Sequence, residues 1–117
     1  MELREIFTAN IKRLRKERGL GLRETANKVG ISATFLSRVE SNTEKAVPRE
    51  EVIKKLAALL GDDVDVLMQL AGRVAQDVAA VIKSEPGMPA VLRRARDLNL
   101  SADDLMKLID KSKKGKR

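Results

Sequence analysis

The stretch Leu22-Arg-Glu-Thr-Ala-Asn-Lys-Val-Gly-Ile-Ser-Ala-Thr-Phe-Leu-Ser-Arg-Val-Glu40 decides the fold. It reads as two short helices joined by a tight turn. Ala26 supplies the small side chain needed where the second helix crosses the first closely. Gly30 supplies a left-handed backbone that a residue with a Cβ resists. Val29, Ile31, Leu36 and Val39 are the apolar residues that lock the pair into a core. Ser32 stands where its hydroxyl accepts from the free N–H groups of the second helix. A helix pair of this kind is a helix-turn-helix, whose second helix enters the major groove of DNA.

Outward from this motif the chain remains helical. Leu3, Ile6, Phe7, Ile11 and Leu14 recur at three- and four-residue steps, which predicts an amphipathic helix over about residues 2–18, ended by Gly19. The two helices of the motif fall at about 22–29 and 33–41, and a loop runs from Asn42 to Val47. Pro48 suits the first turn of a fourth helix, where a missing N–H costs nothing. Glu50 and Glu51 complement the dipole of that turn, Val52, Ile53, Leu56, Leu59 and Leu60 form its buried stripe, and Gly61 stops it. Asp62 or Asp63 caps a short fifth helix carrying Val66, Leu67 and Leu70.

The first domain is therefore expected to span residues 1–71, with Ala71-Gly72 as a hinge. A helical segment over 72–110 follows. Val74, Val78, Val81 and Ile82 share one helix, ended by Glu85-Pro86-Gly87. Pro89 opens the next, with Val91, Leu92, Ala95 and Leu98. Ser101 caps the last helix, with Asp104 completing a capping box and Leu100 stapling against Leu105; Leu108 and Ile109 extend its apolar face. The tail, 111–117, reads Lys-Ser-Lys-Lys-Gly-Lys-Arg and is expected to be disordered.

Composition narrows the chemistry. The chain has 117 residues, 43% hydrophobic and 2% aromatic, so its core must be built from Leu, Ile, Val and Ala. There is no Cys and no His, which excludes disulfides, thiolate chemistry, a nucleophile–His pair and the usual zinc sites. No cofactor or metal is expected. The pairs Asp62-Asp63, Asp103-Asp104 and Glu50-Glu51 all fall at helix starts, where acids stabilise the dipole, and this favours a structural role over acid–base chemistry. An enzyme reading finds no support. No apolar run approaches the ~20 residues of a membrane span, and the expected location is the cytoplasm, at the nucleoid. The net charge of +7 is unevenly spread: residues 1–70 hold 13 basic and 11 acidic residues, whereas 71–117 hold 11 and 6. Five of those cations lie in the last seven residues, so overall charge is weak support for a nucleic-acid partner. The tail could track phosphates outside a binding site, or merely keep the chain soluble.

Residues 3–70 resemble the phage-repressor-like, or Xre and Cro/C1-type, helix-turn-helix family. The resemblance rests on Ile11-Lys-Arg-Leu-Arg15, Gly19, Ala26, Gly30, Ile31, Ser32, Leu36, Ser37, Val39 and Glu40, then Pro48 and Leu56-Ala-Ala-Leu-Leu60-Gly61. It implies a five-helix all-α DNA-binding domain in which Ala33, Thr34, Ser37 and Arg38 face the major groove. Arg38 is suited to a bidentate contact with guanine O6 and N7, the alternative being a phosphate contact. Phe35 is either an exposed base contact or a half-buried neighbour of Leu36. Phosphate contacts fall to Arg23, Ser32, Lys45 and Arg49. Arg15 and Glu40 are implied to pair across the domain as a structural ion pair, which removes Arg15 from the DNA contacts. Two departures stand out: family members often open the second helix with a Gln bound to phosphate and precede it with a capping Ser or Thr. Here those positions are Leu22 and Gly21.

The implied function is a sequence-specific regulator of transcription on double-stranded DNA, a repressor acting as a homodimer on a palindromic operator. Val78, Val81, Ile82, Leu92, Leu105, Leu108 and Ile109 are its dimerisation candidates, or else they complete the monomer core. The competing reading is an antitoxin or adaptor whose C-terminal helices bind a protein partner, with DNA binding secondary or absent.

Overall fold

A computed structural model describes residues 2–115. Among them lie eight α-helices: α1 (Leu3–Glu17), α2 (Leu22–Val29), α3 (Ala33–Glu40), α4 (Glu50–Leu60), α5 (Val64–Leu70), α6 (Gln76–Ser84), α7 (Met88–Asp97) and α8 (Ala102–Gly115). The described residues contain no strand, so the architecture is all-α. The chain divides into two compact units, one ending at Ala75 and one beginning at Gln76.

In the first unit, α1–α5 surround a single apolar core. Phe7 and Ile11 of α1, Val29 of α2, Leu36 of α3, Ile53, Leu56 and Leu60 of α4 and Leu67 of α5 have almost no exposed surface. Each such burial contributes about 1.5–3 kcal/mol relative to an exposed side chain. Leu3 lies outside this core and is exposed, although its spacing matches the stripe of α1.

Local signals end the helices. Gly30 adopts φ 78°, and the N–H of Ile31 donates to Ala26 O at 3.0 Å, closing α2. Gly21 begins α2 without a side-chain cap; the buried Thr25 instead turns its hydroxyl back to Gly21 O at 2.8 Å. Ser32 Oγ accepts from the Phe35 N–H at 3.0 Å and caps α3. The carboxylate of Asp63 accepts from Asp65 N and Val66 N and caps α5. On that seven-residue helix Leu67 and Met68 are buried, whereas Val66 is exposed.

Two boundaries differ from the sequence expectation for one shared reason. Pro48 is not in the first turn of α4; Arg49 is the N-cap, in an extended conformation, and α4 begins at Glu50. The Arg73 guanidinium donates to Pro48 O at 2.5 Å and to Val47 O at 2.8 Å, holding the chain before α4 extended. The same side chain ties residues past the expected hinge into the first unit. Gly72 does make a turn, with φ 74°, but Ala75 still packs on the core, so the division lies after Ala75 and not at Ala71-Gly72. Val74, expected on the sixth helix, precedes it and is exposed.

In the second unit, α6 packs against α7. Ser101 and Asp104 form the capping box of α8, with Asp104 N donating to Ser101 Oγ and Ser101 N to Asp104 Oδ2, both at 3.0 Å. α8 continues through Lys111 to Gly115 as helix, where disorder was expected. A well-capped start and an exposed Asp103–Lys107 pair favour that extension, and cations suit a helix C-terminus. Lys116 and Arg117 lie outside the described residues. No helix among the described residues is long and apolar enough to cross a membrane.

Candidate nucleic-acid interface

The helix α3 has one face buried and one face open. Leu36 and Val39 are buried, and Ala33 and Phe35 are half-buried against the core. Thr34, Ser37 and Arg38 are exposed on the opposite face. Phe35 therefore takes the half-buried alternative. It lines a hollow of about 410 Å³ with Ile31, Ser32, Val47, Pro48 and Val52.

An ion pair joins α3 to α1. Arg15 Nε and Nη2 donate to Glu40 Oε2 and Oε1 at 2.6 and 2.9 Å, and Nη1 donates to Leu20 O at 2.8 Å. The two side chains are 11% and 5% exposed, so this pair is held nearly out of solvent. Hydrogen bonding to Glu40 raises the Arg15 pKa above its ordinary value; burial opposes the rise and the Glu40 charge adds to it. The two planar groups meet fork to fork, which fixes orientation as well as distance.

Five cations, Lys12, Arg13, Arg15, Lys16 and Arg18, stand near the end of α1; Arg15 is committed to Glu40, Arg13 pairs with Glu17, and Arg18 Nε donates to Leu60 O at 2.8 Å. Lys12 and Lys16 of the same helix are exposed. The residues assigned to phosphate contacts are differently placed. Arg23 is exposed on the first turn of α2, and Lys45 and Arg49 are exposed in the loop before α4. Ser32 is exposed, and its oxygen accepts from Phe35 N while its O–H remains able to donate.

Three contributors were not found from the sequence. Glu44 lies beside the reading face, with Oε1 3.7 Å from Arg38 Nη1. Arg4 donates to Glu44 O and, at 3.5 Å, to Ala46 O. Arg73 holds the other end of the same loop through Val47 and Pro48. Loop residues also close the end of α3: Thr43 N donates to Arg38 O at 2.9 Å, and Ser41 Oγ donates to Ser37 O at 3.0 Å. Asn42 adopts φ 58°, a left-handed turn for which Asn is suited.

The dimerisation candidates separate by exposure. Val78, Val81, Leu92, Leu108 and Ile109 are exposed, whereas Ile82 and Leu105 are half-buried. Ala95 is the one buried apolar residue among the described residues of the second unit. A groove of about 370 Å³ is lined by Ala90, Val91, Arg94, Ala95, Leu98, Leu100 and Leu105.

Comparison with known proteins supplies the remaining findings. Residues 8–73 match the family described as a helix-turn-helix domain. The HTH-type transcriptional repressor RghR of Bacillus subtilis (strain 168) is 39% identical over 70 residues, covering 60% of this chain. The chain spans about half the length of that relative, 51%. A solved SinR protein/SinI protein complex aligns over 92% of this chain and 94% of that chain, at 24% identity and a TM-score of 0.47.

Proposed function

The chain belongs to the helix-turn-helix domain family, of the phage-repressor-like type, and on that premise we propose that it is a sequence-specific regulator of transcription on double-stranded DNA, a repressor acting as a homodimer. The observation that carries this reading is the open face of α3. Three polar side chains, Thr34, Ser37 and Arg38, stand exposed on a helix whose other face is buried and which is tied to α1 by the Arg15–Glu40 pair.

Each side chain has a task matched to its chemistry. Ala33 at the helix start lets the backbone approach base edges. Thr34 offers a hydroxyl to a base or its methyl to a thymine methyl, Ser37 offers a hydroxyl, and Arg38 pairs with guanine O6 and N7. Arg23, Ser32, Lys45 and Arg49 donate to phosphates and fix register without reading sequence.

Homodimer formation falls to the second unit. About 40 residues are too few to bury a core unaided, and its apolar side chains are largely exposed. A two-fold pairing covers them and sets two α3 helices about 34 Å apart on one side of the duplex. The same faces serve the competing reading, an adaptor or antitoxin that takes a different protein. The purified chain is then monomeric by sedimentation.

Selection from a random pool of duplexes, followed by footprinting, tests the main reading. Enrichment of a two-fold-symmetric site with protected halves about one helical turn apart, or a multiple of it, is expected. Absence of any preference over random duplex at moderate salt refutes it.

A further inference from the structure

We propose that Glu44 is a specificity-determining residue, whose carboxylate holds Arg38 at the reading face and keeps it from the phosphates of wrong sequences. This inference rests on the DNA-binding reading and deepens it.

The carboxylate is fixed and the guanidinium is not. Thr43 N and Glu44 N both donate to Arg38 O, at 2.9 and 3.3 Å, so the loop is registered against the backbone of Arg38 itself. Arg4 anchors the Glu44 carbonyl from α1. The Glu44 side chain is only 19% exposed, and its Oε2 accepts from Ala46 N at 3.4 Å. Arg38 is 60% exposed, and its Nη1 lies 3.7 Å from Glu44 Oε1. That separation is an ionic contact longer than a hydrogen bond, so the guanidinium keeps its donors available for a base.

Every sequence presents phosphates, but only some present guanine O6 and N7 at the right step. On a wrong sequence, Arg38 gains most by swinging to a phosphate. That movement takes it away from Glu44 and leaves a largely buried carboxylate unpaired next to a polyanion. On the right sequence Arg38 pairs with guanine while remaining beside Glu44, and the carboxylate offsets its charge. Glu44 thereby penalises the wrong complexes more than the right one, a repulsive element of the kind specific interfaces use.

The test compares wild type, Glu44→Gln, Arg38→Ala and the double variant, each binding the selected site and a random duplex across a salt series. Gln keeps an acceptor for Ala46 N, and thermal melts establish that each variant is folded. Glu44→Gln is expected to tighten random-duplex binding about twofold to fivefold, the range of an exposed ion pair. Its random-duplex salt slope should steepen by about 0.9, one added phosphate contact, while the ratio of specific to random affinity falls. With Arg38→Ala in place, Glu44→Gln should change neither ratio nor slope. An unchanged ratio in the Arg38 background overturns the proposal. So does an equal gain with and without Arg38, which would make Glu44 a source of general repulsion. A wild type with no sequence preference brings down the DNA-binding reading itself, an outcome distinct from both.

Discussion

Replacing Arg15 with Met removes a cation while keeping an unbranched apolar side chain of similar length. The substitution strands Glu40, whose side chain is 5% exposed, and deprives Leu20 O of its 2.8 Å donor. Breaking a buried pair by removing one partner costs about 3–5 kcal/mol. A unit of 75 residues holds only roughly 4–11 kcal/mol in all, so the loss is a large share. At 3 kcal/mol the melting temperature should fall by about 12–24 °C. The double variant Arg15→Met/Glu40→Leu removes both charges, and its stability should return to within about 1 kcal/mol of wild type, since well-packed apolar pairs often replace buried ion pairs without loss. Urea titrations of the four proteins give the coupling energy, expected to be at least about 2 kcal/mol, since the double variant recovers most of what the single one loses. Because the Arg15 pKa is raised on folding, its stabilising contribution is fully present below the unfolded-state value and is lost only as pH rises through the folded one. The effect of Arg15→Met should therefore be the same at neutral and mildly alkaline pH. A loss under about 1 kcal/mol for the single variant, or no recovery in the double, refutes the assignment of a nearly dry structural pair.

Three further outcomes are expected. Arg38→Ala should cost about 1–3 kcal/mol at the selected site and relax preference at one base pair; uniform weakening on all duplexes, measured by competition, would make Arg38 a phosphate anchor. A fragment ending at Ala75 should remain folded and monomeric by sedimentation, and should exceed a fragment ending at Ala71 by about 2 kcal/mol, because only the longer one keeps the bonds of Arg73 to Val47 and Pro48; a dimeric fragment ending at Ala75 would remove the second unit from the interface. Gly61→Ala should destabilise more than Gly30→Ala in thermal melts: both positions have φ above 70°, costing about 1–2 kcal/mol, but a Cβ at Gly61 also collides with the Arg18 guanidinium that donates to Leu60 O.

What could be read from chain order is what the chain settles within a few residues. Gly30, Ser32, Asp63 and the Ser101–Asp104 box act on groups at most four residues away, so their spacing reveals them. The Arg15–Glu40 pairing followed instead from family resemblance, since 25 residues separate the two. Arg18, Arg4 and Arg73 reach partners 42, 40 and 25 residues away, and nothing beside them distinguishes an anchoring arginine from a solvated one. The error at Pro48 has the same origin. A proline tolerates the first helical turn, but the start of α4 is governed by the grip of Arg73 on the residues before it. Glu44 escaped notice because the loop that brings it beside Arg38 is shaped by those distant arginines.

The arrangement of charge bears on why a single copy would make a weak binder. In the first unit, Arg13, Lys28 and Lys54 are paired along their own helices, and Arg4, Arg15, Arg18 and Arg73 are committed to carbonyls or to Glu40. Of the assigned phosphate contacts, Arg23, Lys45 and Arg49 are the cations, and none enters an ion pair among the described residues. Three such contacts, with an exposed reading face of Thr34, Ser37 and Arg38, give one domain a small footprint. Leu22 stands where the resemblance implies a phosphate-binding Gln, which takes one more anchor away. On the proposed homodimer, affinity is expected to come from joining two such footprints, since a linked second contact gains from high effective concentration without any new chemistry. The exposed valines and leucines of the second unit are the surface suited to that linkage, which makes its apolar exposure and the modest charge of the first unit two aspects of one requirement.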